Sequence, residues 1–297
     1  MKTYVKILSV LLCVLMLGGC FGLFGGGPDV VIGGKNFTEQ DILVFMMEAV
    51  IEEHTDLEVQ TRPFLGGTDV VAQAIERGDL DIYPEYTGTA LINILEMETI
   101  TDPQEVYDTV SEIYADEKNL IWLEPLGFNN TYALSMRRDH AEELNIETIS
   151  DLAEYAPDLT LAATHEFLER PDGYAGVQEA YNLEFGDIRG LDPGLTYAAV
   201  RDGEGDVNDA FSTDGRIVAF DLKSLDDDRN FFPPYYPAPI VRQDTLEQHP
   251  ELEDALNKLG GSLDDTTMSE LNARVDLEGE DPRDVAREYL RENDIIQ

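Results

Sequence analysis

Basic residues are scarce in this chain. Twenty lysines and arginines stand against 61 aspartates and glutamates, a formal net charge of −41 over 297 residues. Binding nucleic acid requires a basic patch that displaces the counterions of the phosphates, so this balance excludes nucleic acid as a partner. The acids are spread through the sequence rather than gathered in a tail. That distribution fits a surface adapted to high salt, where screening shortens the reach of each charge and hydrated carboxylates keep the protein soluble. Cysteine is nearly absent, with Cys13 and Cys20 alone. The four histidines, His54, His140, His165 and His249, lie too far apart for any short metal-ligand spacing. There is no GxSxG elbow either. No metal or cofactor is expected. An exported hydrolase working through paired carboxylates is the enzyme reading that stays open, although nothing singles out two acids among so many.

Long apolar runs are missing too, apart from one at the start. Lys2 and Lys6 precede Ile7 to Leu17, a run too short to span a bilayer and suited to the core of a signal peptide. It ends in Leu17-Gly18-Gly19-Cys20, which resembles the lipobox of bacterial and archaeal lipoproteins, where the cysteine takes a thioether-linked lipid and becomes the first mature residue. The expectation is a signal peptide over residues 1–19, lipid on Cys20 and a Gly-rich tether over 20–28. The chain would then be exported and anchored to the outer face of the cell membrane. Cys13 leaves with the leader, so the folded body has no thiol for disulfides, metal sites or nucleophilic catalysis. Its stability must come from apolar cores, which a hydrophobic content of 43% can fill.

From Asp29 onward the pattern is that of an α/β protein. Val30-Val31-Ile32 reads as a buried strand closed by a Gly33-Gly34 turn, and Thr38 with Asp41 is placed to cap a helix from Glu39 to His54. Leu57 to Arg62 alternates like a strand, Gly66-Gly67-Thr68 forms the next turn and cap, and Asp69 to Arg77 has helical spacing before Leu80 to Tyr83 returns to strand. This βαβαβ order implies a mostly parallel sheet with helices on both faces. Thr131–Met136, Leu159–Ala163 and Arg216–Phe220 read as later strands, with helical pieces at Leu152–Tyr155 and Gly173–Tyr181. Leu246–Leu259, Thr267–Val275 and Pro282–Asn293 read as closing helices. Two α/β lobes are the economical interpretation, and no sequence repeat relates them.

Several stretches combine glycine, proline and aromatic residues with single polar groups just after expected strands, where open α/β sheets place ligands. They are Gly33-Gly34-Lys35-Asn36-Phe37-Thr38-Glu39-Gln40, Asp81 to Thr89, Phe128 to Tyr132, Asp209 to Gly215 and Asn230 to Pro237. With its GGKNFTEQ and EYTGT signatures, the chain resembles the osmoprotectant-binding proteins of ABC importers, the receptors for glycine betaine, choline and carnitine. The likeness runs from Val30 to Asn293. It implies a two-lobed periplasmic-binding-protein fold, type II-like, that closes on its ligand by a hinge. It also implies partners, a membrane permease and its ATPase, for a monomeric receptor.

The resemblance further implies an aromatic cage with a separate carboxylate clamp. Tyr86, Tyr132 and Tyr235 match cage tyrosines, and Phe211 falls where the family commonly has a fourth, keeping the ring and losing the hydroxyl. Lys35, Thr89 and Arg170 match the clamp. The chemistry is coherent: a trimethylammonium group donates no strong hydrogen bond and is best met by the negative faces of aromatic rings, while an arginine can hold both oxygens of a carboxylate. Asp69, just after the Gly66-Gly67 turn, either faces the pocket and favours a net cation such as choline, or serves only as a first-turn helix acid. Glycine betaine and choline therefore both stay open. The expected lobes are residues 29–129 with 235–297, and residues 130–234. A sensor with the same lobes is the other reading, but no membrane segment or signalling helix follows the last expected helix, so delivery to a transporter is preferred.

Overall fold

The computed structural model describes residues 27–297. The expected leader, Cys20 and most of the tether lie outside the described residues. Among those described, no helix is long and apolar enough to cross a membrane.

The described residues contain ten strands in two five-stranded sheets. The first contains β1 (Val30–Lys35), β2 (Val59–Gly66), β3 (Ile82–Tyr86), β4 (Leu120–Trp122) and β10 (Pro237–Arg242), in the order β2-β1-β3-β10-β4. The second contains β5 (Tyr132–Arg137), β6 (Thr160–Thr164), β7 (Asp187–Leu191), β8 (Val207–Phe211) and β9 (Leu222–Ser224), in the order β7-β6-β8-β5-β9. The two follow one plan. Three parallel strands, β2-β1-β3 or β7-β6-β8, are extended by an antiparallel strand that carries a last antiparallel edge. No sequence repeat announces this shared plan, because the pattern constrains which faces are apolar and not which residues supply them.

Helix α1 (Thr38–His54) is the centre of the first sheet's packing. It is buried from Glu39 to Ile51 except at Asp41, since it lies between the sheet and two late helices, α2 (Asp265–Asp276) and α3 (Pro282–Glu292). A helix covered on nearly every side has to be apolar on nearly every side, and Ile42, Leu43, Val44, Met46, Met47, Val50 and Ile51 satisfy that. Trp122, Tyr114 and Leu91 fill the other face of the same sheet. A separate core of Leu134, Ile149, Leu161, Phe167 and Tyr181 serves the second.

Several sequence expectations fail for identifiable reasons. Gly33 and Gly34 continue β1 instead of turning: a Cβ at Gly33 would lie 2.3 Å from Leu80 Cδ1 and one at Gly34 2.7 Å from Val44 Cγ2, so these glycines permit close packing. Arg216–Phe220, expected as a strand, is the short helix Arg216–Ala219. The Asp214 carboxylate accepts from Arg216 N at 2.9 Å, and the β-branched Val218 is 82% exposed with nothing to pack against. The strand lies earlier, at β8, where Asn208 and Asp209 interrupt the apolar pattern. Leu246–Leu259 breaks at Pro250 into Gln243–Gln248 and Glu251–Leu256 plus a final tight turn. Neither expected threonine cap forms: Phe37 and Gly67 occupy the cap positions without side-chain bonds, while Thr38 donates to Asp276 at 2.5 Å and Thr68 to Glu166 at 2.6 Å.

Because Ile42 is fully buried within α1, Ile42→Ala should lower stability by about 2–5 kcal/mol. The check is denaturant unfolding, with the midpoint falling at an unchanged slope.

Candidate functional site

The carboxyl ends of the parallel strands and the start of β5 point to one place. Lys35 ends β1, Tyr86 ends β3, Thr164 ends β6 and Phe211 ends β8. Tyr132 begins β5 directly across from Phe211 in the antiparallel register. Tyr235 precedes β10, whose first residue, Pro237, pairs with Tyr86. Together they line a cavity of about 530 Å³, whose wall contains all eight candidates: Lys35, Asp69, Tyr86, Thr89, Tyr132, Arg170, Phe211 and Tyr235.

The rings form a continuous series. Tyr235 meets Tyr132 edge-on at 5.7 Å between centroids, Tyr132 meets Phe211 at 5.0 Å, and Phe211 stacks on Phe37 at 5.5 Å. Phe37 in turn reaches Tyr86 at 6.2 Å. Phe37 is the ring that sequence reasoning passed over, although it sits inside the GGKNFTEQ stretch between β1 and α1. It joins the Tyr86 of the first sheet to the Phe211 of the second. Gly88 has a related role: a Cβ there would lie 2.7 Å from the Tyr235 ring, so glycine in Tyr86-Thr87-Gly88-Thr89 lets that ring close down on the chain.

The clamp candidates are present in the wall, but each cation is already engaged. Lys35 Nζ lies 2.5 Å from Glu85 Oε1, both groups buried, and 5.3 Å from the Tyr86 ring centroid. Tyr83 Oη and Tyr86 N also donate to Glu85. Arg170 makes a two-pronged pair with Asp172, at 2.7 and 2.5 Å, and reaches Glu166 at 3.2 Å and Thr89 Oγ1 at 3.3 Å. Its guanidinium lies 5.4 Å from the Tyr132 centroid. Asp69 lines the cavity from an exposed position. Acids in the wall, Asp69, Glu166, Glu169 and Asp192, outnumber its cations, Lys35 and Arg170. Among the described residues, no group of three or more His, Cys, Asp or Glu is arranged to hold a metal.

Over residues 28–292 the sequence matches the family model described as the substrate-binding domain of ABC-type glycine betaine transport systems (OpuAC). The chain belongs to this family. It is 36% identical to the carnitine transport binding protein OpuCC of Listeria monocytogenes, across 100% of this chain and 98% of the relative. It is 38% identical to a glycine-betaine-binding protein of Pseudomonas aeruginosa, across 93% of each. A crystal structure of a glycine betaine/carnitine/choline ABC transporter protein superposes with a TM-score of 0.74 at 34% identity, covering 90% of this chain and all of the other. The fold is that of the two-lobed substrate-binding proteins.

Two buried acids beside the cavity lead to tests. Glu85→Ala would strand the Lys35 ammonium without its partner, a change expected to lower stability by about 3–5 kcal/mol, measured by denaturant midpoint. Asp209 lies beneath Thr164, accepting from its N–H at 3.0 Å and its hydroxyl at 2.6 Å. Burial pushes the Asp209 carboxyl up to about 6 from an ordinary 3.8. Between those values the folded chain holds a proton that the unfolded chain has released, so this group's contribution to stability declines as pH rises from about 4 to about 6. Asp209→Asn removes the titration. The stability of this variant minus that of the parent should therefore increase across the window, and a flat difference in melts at pH 4 and pH 7 would contradict the assignment.

Proposed function

We propose that this chain is an extracytoplasmic, lipid-anchored receptor that captures glycine betaine or a related quaternary-ammonium solute and delivers it to an ABC permease and its ATPase. The carrying observation is the unbroken series of rings from Tyr86 through Phe37, Phe211 and Tyr132 to Tyr235 along one cavity wall. Such a surface suits a methylated ammonium, whose charge is spread over methyl groups that make no directional hydrogen bond. Family membership and the carnitine- and glycine-betaine-binding relatives support the same ligand class. Thr89, Lys35 and Arg170 are the groups proposed to meet a ligand carboxylate, with Lys35 retaining donors beyond the one spent on Glu85.

The proposed lobes are residues 29–129 with 235–297, and residues 130–234, in keeping with the two sheets. Binding in the cleft between them would draw the halves together. The anchor is proposed on Cys20, and the dispersed acidity supports work in concentrated salt. A second reading, preference for choline, is favoured by the surplus of acids in the cavity wall and by Asp69 there.

The test is a thermal-shift panel of glycine betaine, choline, carnitine and proline betaine in molar salt, since a ligand that binds only the folded state raises its stability. At least one should raise the midpoint; no shift with any of them would end the proposal. Tyr86→Ala and Tyr235→Ala should each weaken binding of the best ligand by about 1–3 kcal/mol, while Tyr155→Ala, outside the cavity wall, leaves it nearly unchanged. Equal effects at all three positions in calorimetry would remove the cage.

A further inference from the structure

Two cage hydroxyls end on buried carboxylates, and those carboxylates differ in their own surroundings. Tyr235 Oη donates to Asp172 Oδ2 at 2.6 Å, and Asp172 is neutralised by the two-pronged pair with Arg170. Tyr86 Oη donates to Glu39 Oε1 at 2.7 Å. Glu39 is 2% exposed and, among the described residues, no lysine or arginine lies within ion-pair distance of it. What holds it is four neutral donors: Tyr86 Oη and Asn130 Nδ2 on one oxygen, at 2.7 and 2.8 Å, and Thr213 Oγ1 and Asn272 Nδ2 on the other, at 2.6 and 3.0 Å.

These partners are arranged for an ionised group. Asn130 and Asn272 both turn their nitrogen to Glu39 and leave their own oxygen unpartnered in the interior, an orientation that serves a carboxylate and would not serve an acid proton. Gln40 Nε2 donates to the Tyr86 oxygen at 3.2 Å, so that oxygen is an acceptor there and its own proton is directed at Glu39. Burial pushes the Glu39 carboxyl above its usual range, and the bonds from Thr213, Tyr86, Asn272 and Asn130 each draw it back. Four donors on one carboxylate are the means by which a protein keeps such a charge inside.

A carboxylate that accepts a phenol proton pushes electron density into the ring, the more so where the bond lies in a low-dielectric interior. The ring face then attracts a cation more strongly and gains nothing toward an uncharged group. The protein's own cation near this ring, Lys35, is paired with Glu85, and Glu39 itself is absent from the cavity wall. We propose that Glu39 is a specificity-determining residue that acts through Tyr86, making the cavity select a cation over a neutral group of the same shape. This inference rests on the aromatic-cage reading given above.

The experiment compares choline with its uncharged carbon analogue, 3,3-dimethylbutan-1-ol, on the full chain and on Glu39→Gln, by calorimetry and by competition in molar salt. Glu39→Gln should weaken choline about tenfold and the analogue less than about threefold. In a Tyr86→Phe background, which lacks the connecting hydroxyl, Glu39→Gln should change choline affinity by less than about threefold. Equal losses for the two ligands overturn the inference, as does an undiminished loss in that background. If Glu39→Gln does not fold, Tyr86→Phe alone decides, because it leaves three of the four donors on Glu39: it should weaken choline selectively, and an unselective loss overturns the inference. A parent chain that binds none of glycine betaine, choline, carnitine and proline betaine defeats the cage reading itself, whereas a parent that binds one of them, with an unselective Glu39→Gln, defeats only the role of Glu39.

Discussion

Several polar groups buried beside the cavity are satisfied by partners from across the gap between the two sheets. Glu39 beside the first sheet accepts from Thr213 beyond the second. Thr68 donates to Glu166, Arg170 to Thr89, and Arg216 pairs with Asp276 at 3.2 Å. Tyr235, leading into β10, reaches Asp172. Each such bond, made to a charged group, contributes about 1.5–3 kcal/mol net, and an unmatched member would leave a desolvated group without compensation. The matched arrangement is therefore specified as well as stabilised. A ligand that touches both halves can bias their arrangement through its own contacts with each.

The same constraint separates what was legible in the sequence from what was not. The loops that follow β1, β3 and β8 announced themselves through glycine, proline and aromatic residues; the family resemblance assigned seven candidates in these and other loops, the Gly66-Gly67 turn suggested Asp69, and all eight line one cavity. Local chemistry located the loops, because strand ends fix where they go, and the resemblance singled out the residues within them. The pairings behind the wall left no such trace. Glu39 lies 174 positions from Thr213 and 233 from Asn272, so no periodicity or spacing connects them. Thr38 and Thr68 carried a correct local signal for helix starts, yet tertiary demand claimed their hydroxyls for Asp276 and Glu166.

The second sheet was harder to read than the first for a related reason. β8 carries Asn208 and Asp209 in its middle, which breaks apolar alternation, and those residues are tolerated because Ser135 and Thr164 on neighbouring strands satisfy them. The β-branched run after Gly215 had the better strand propensity and nothing to pair with. Propensity loses to partner availability in both places. Phe37 was missed for a different reason: a lone phenylalanine at a helix start reads as ordinary packing until Tyr86 and Phe211 are seen on either side of it.

Charge is abundant on this chain, but distance decides which charges reach the cavity. Exposed acids interact across water and salt, with a screening length of about 10 Å at 0.1 M and about 3 Å at 1 M. Glu39, Glu85 and Asp172 are buried and act through protein, where neither water nor ions intervene to the same extent. Lys35 and Arg170 cancel two of the three at close range. The net charge of −41 therefore acts mainly at the surface, while the electrostatics of the cavity are set by a few interior groups. Raising the salt concentration shortens the reach of the exposed charges and leaves the interior ones nearly intact.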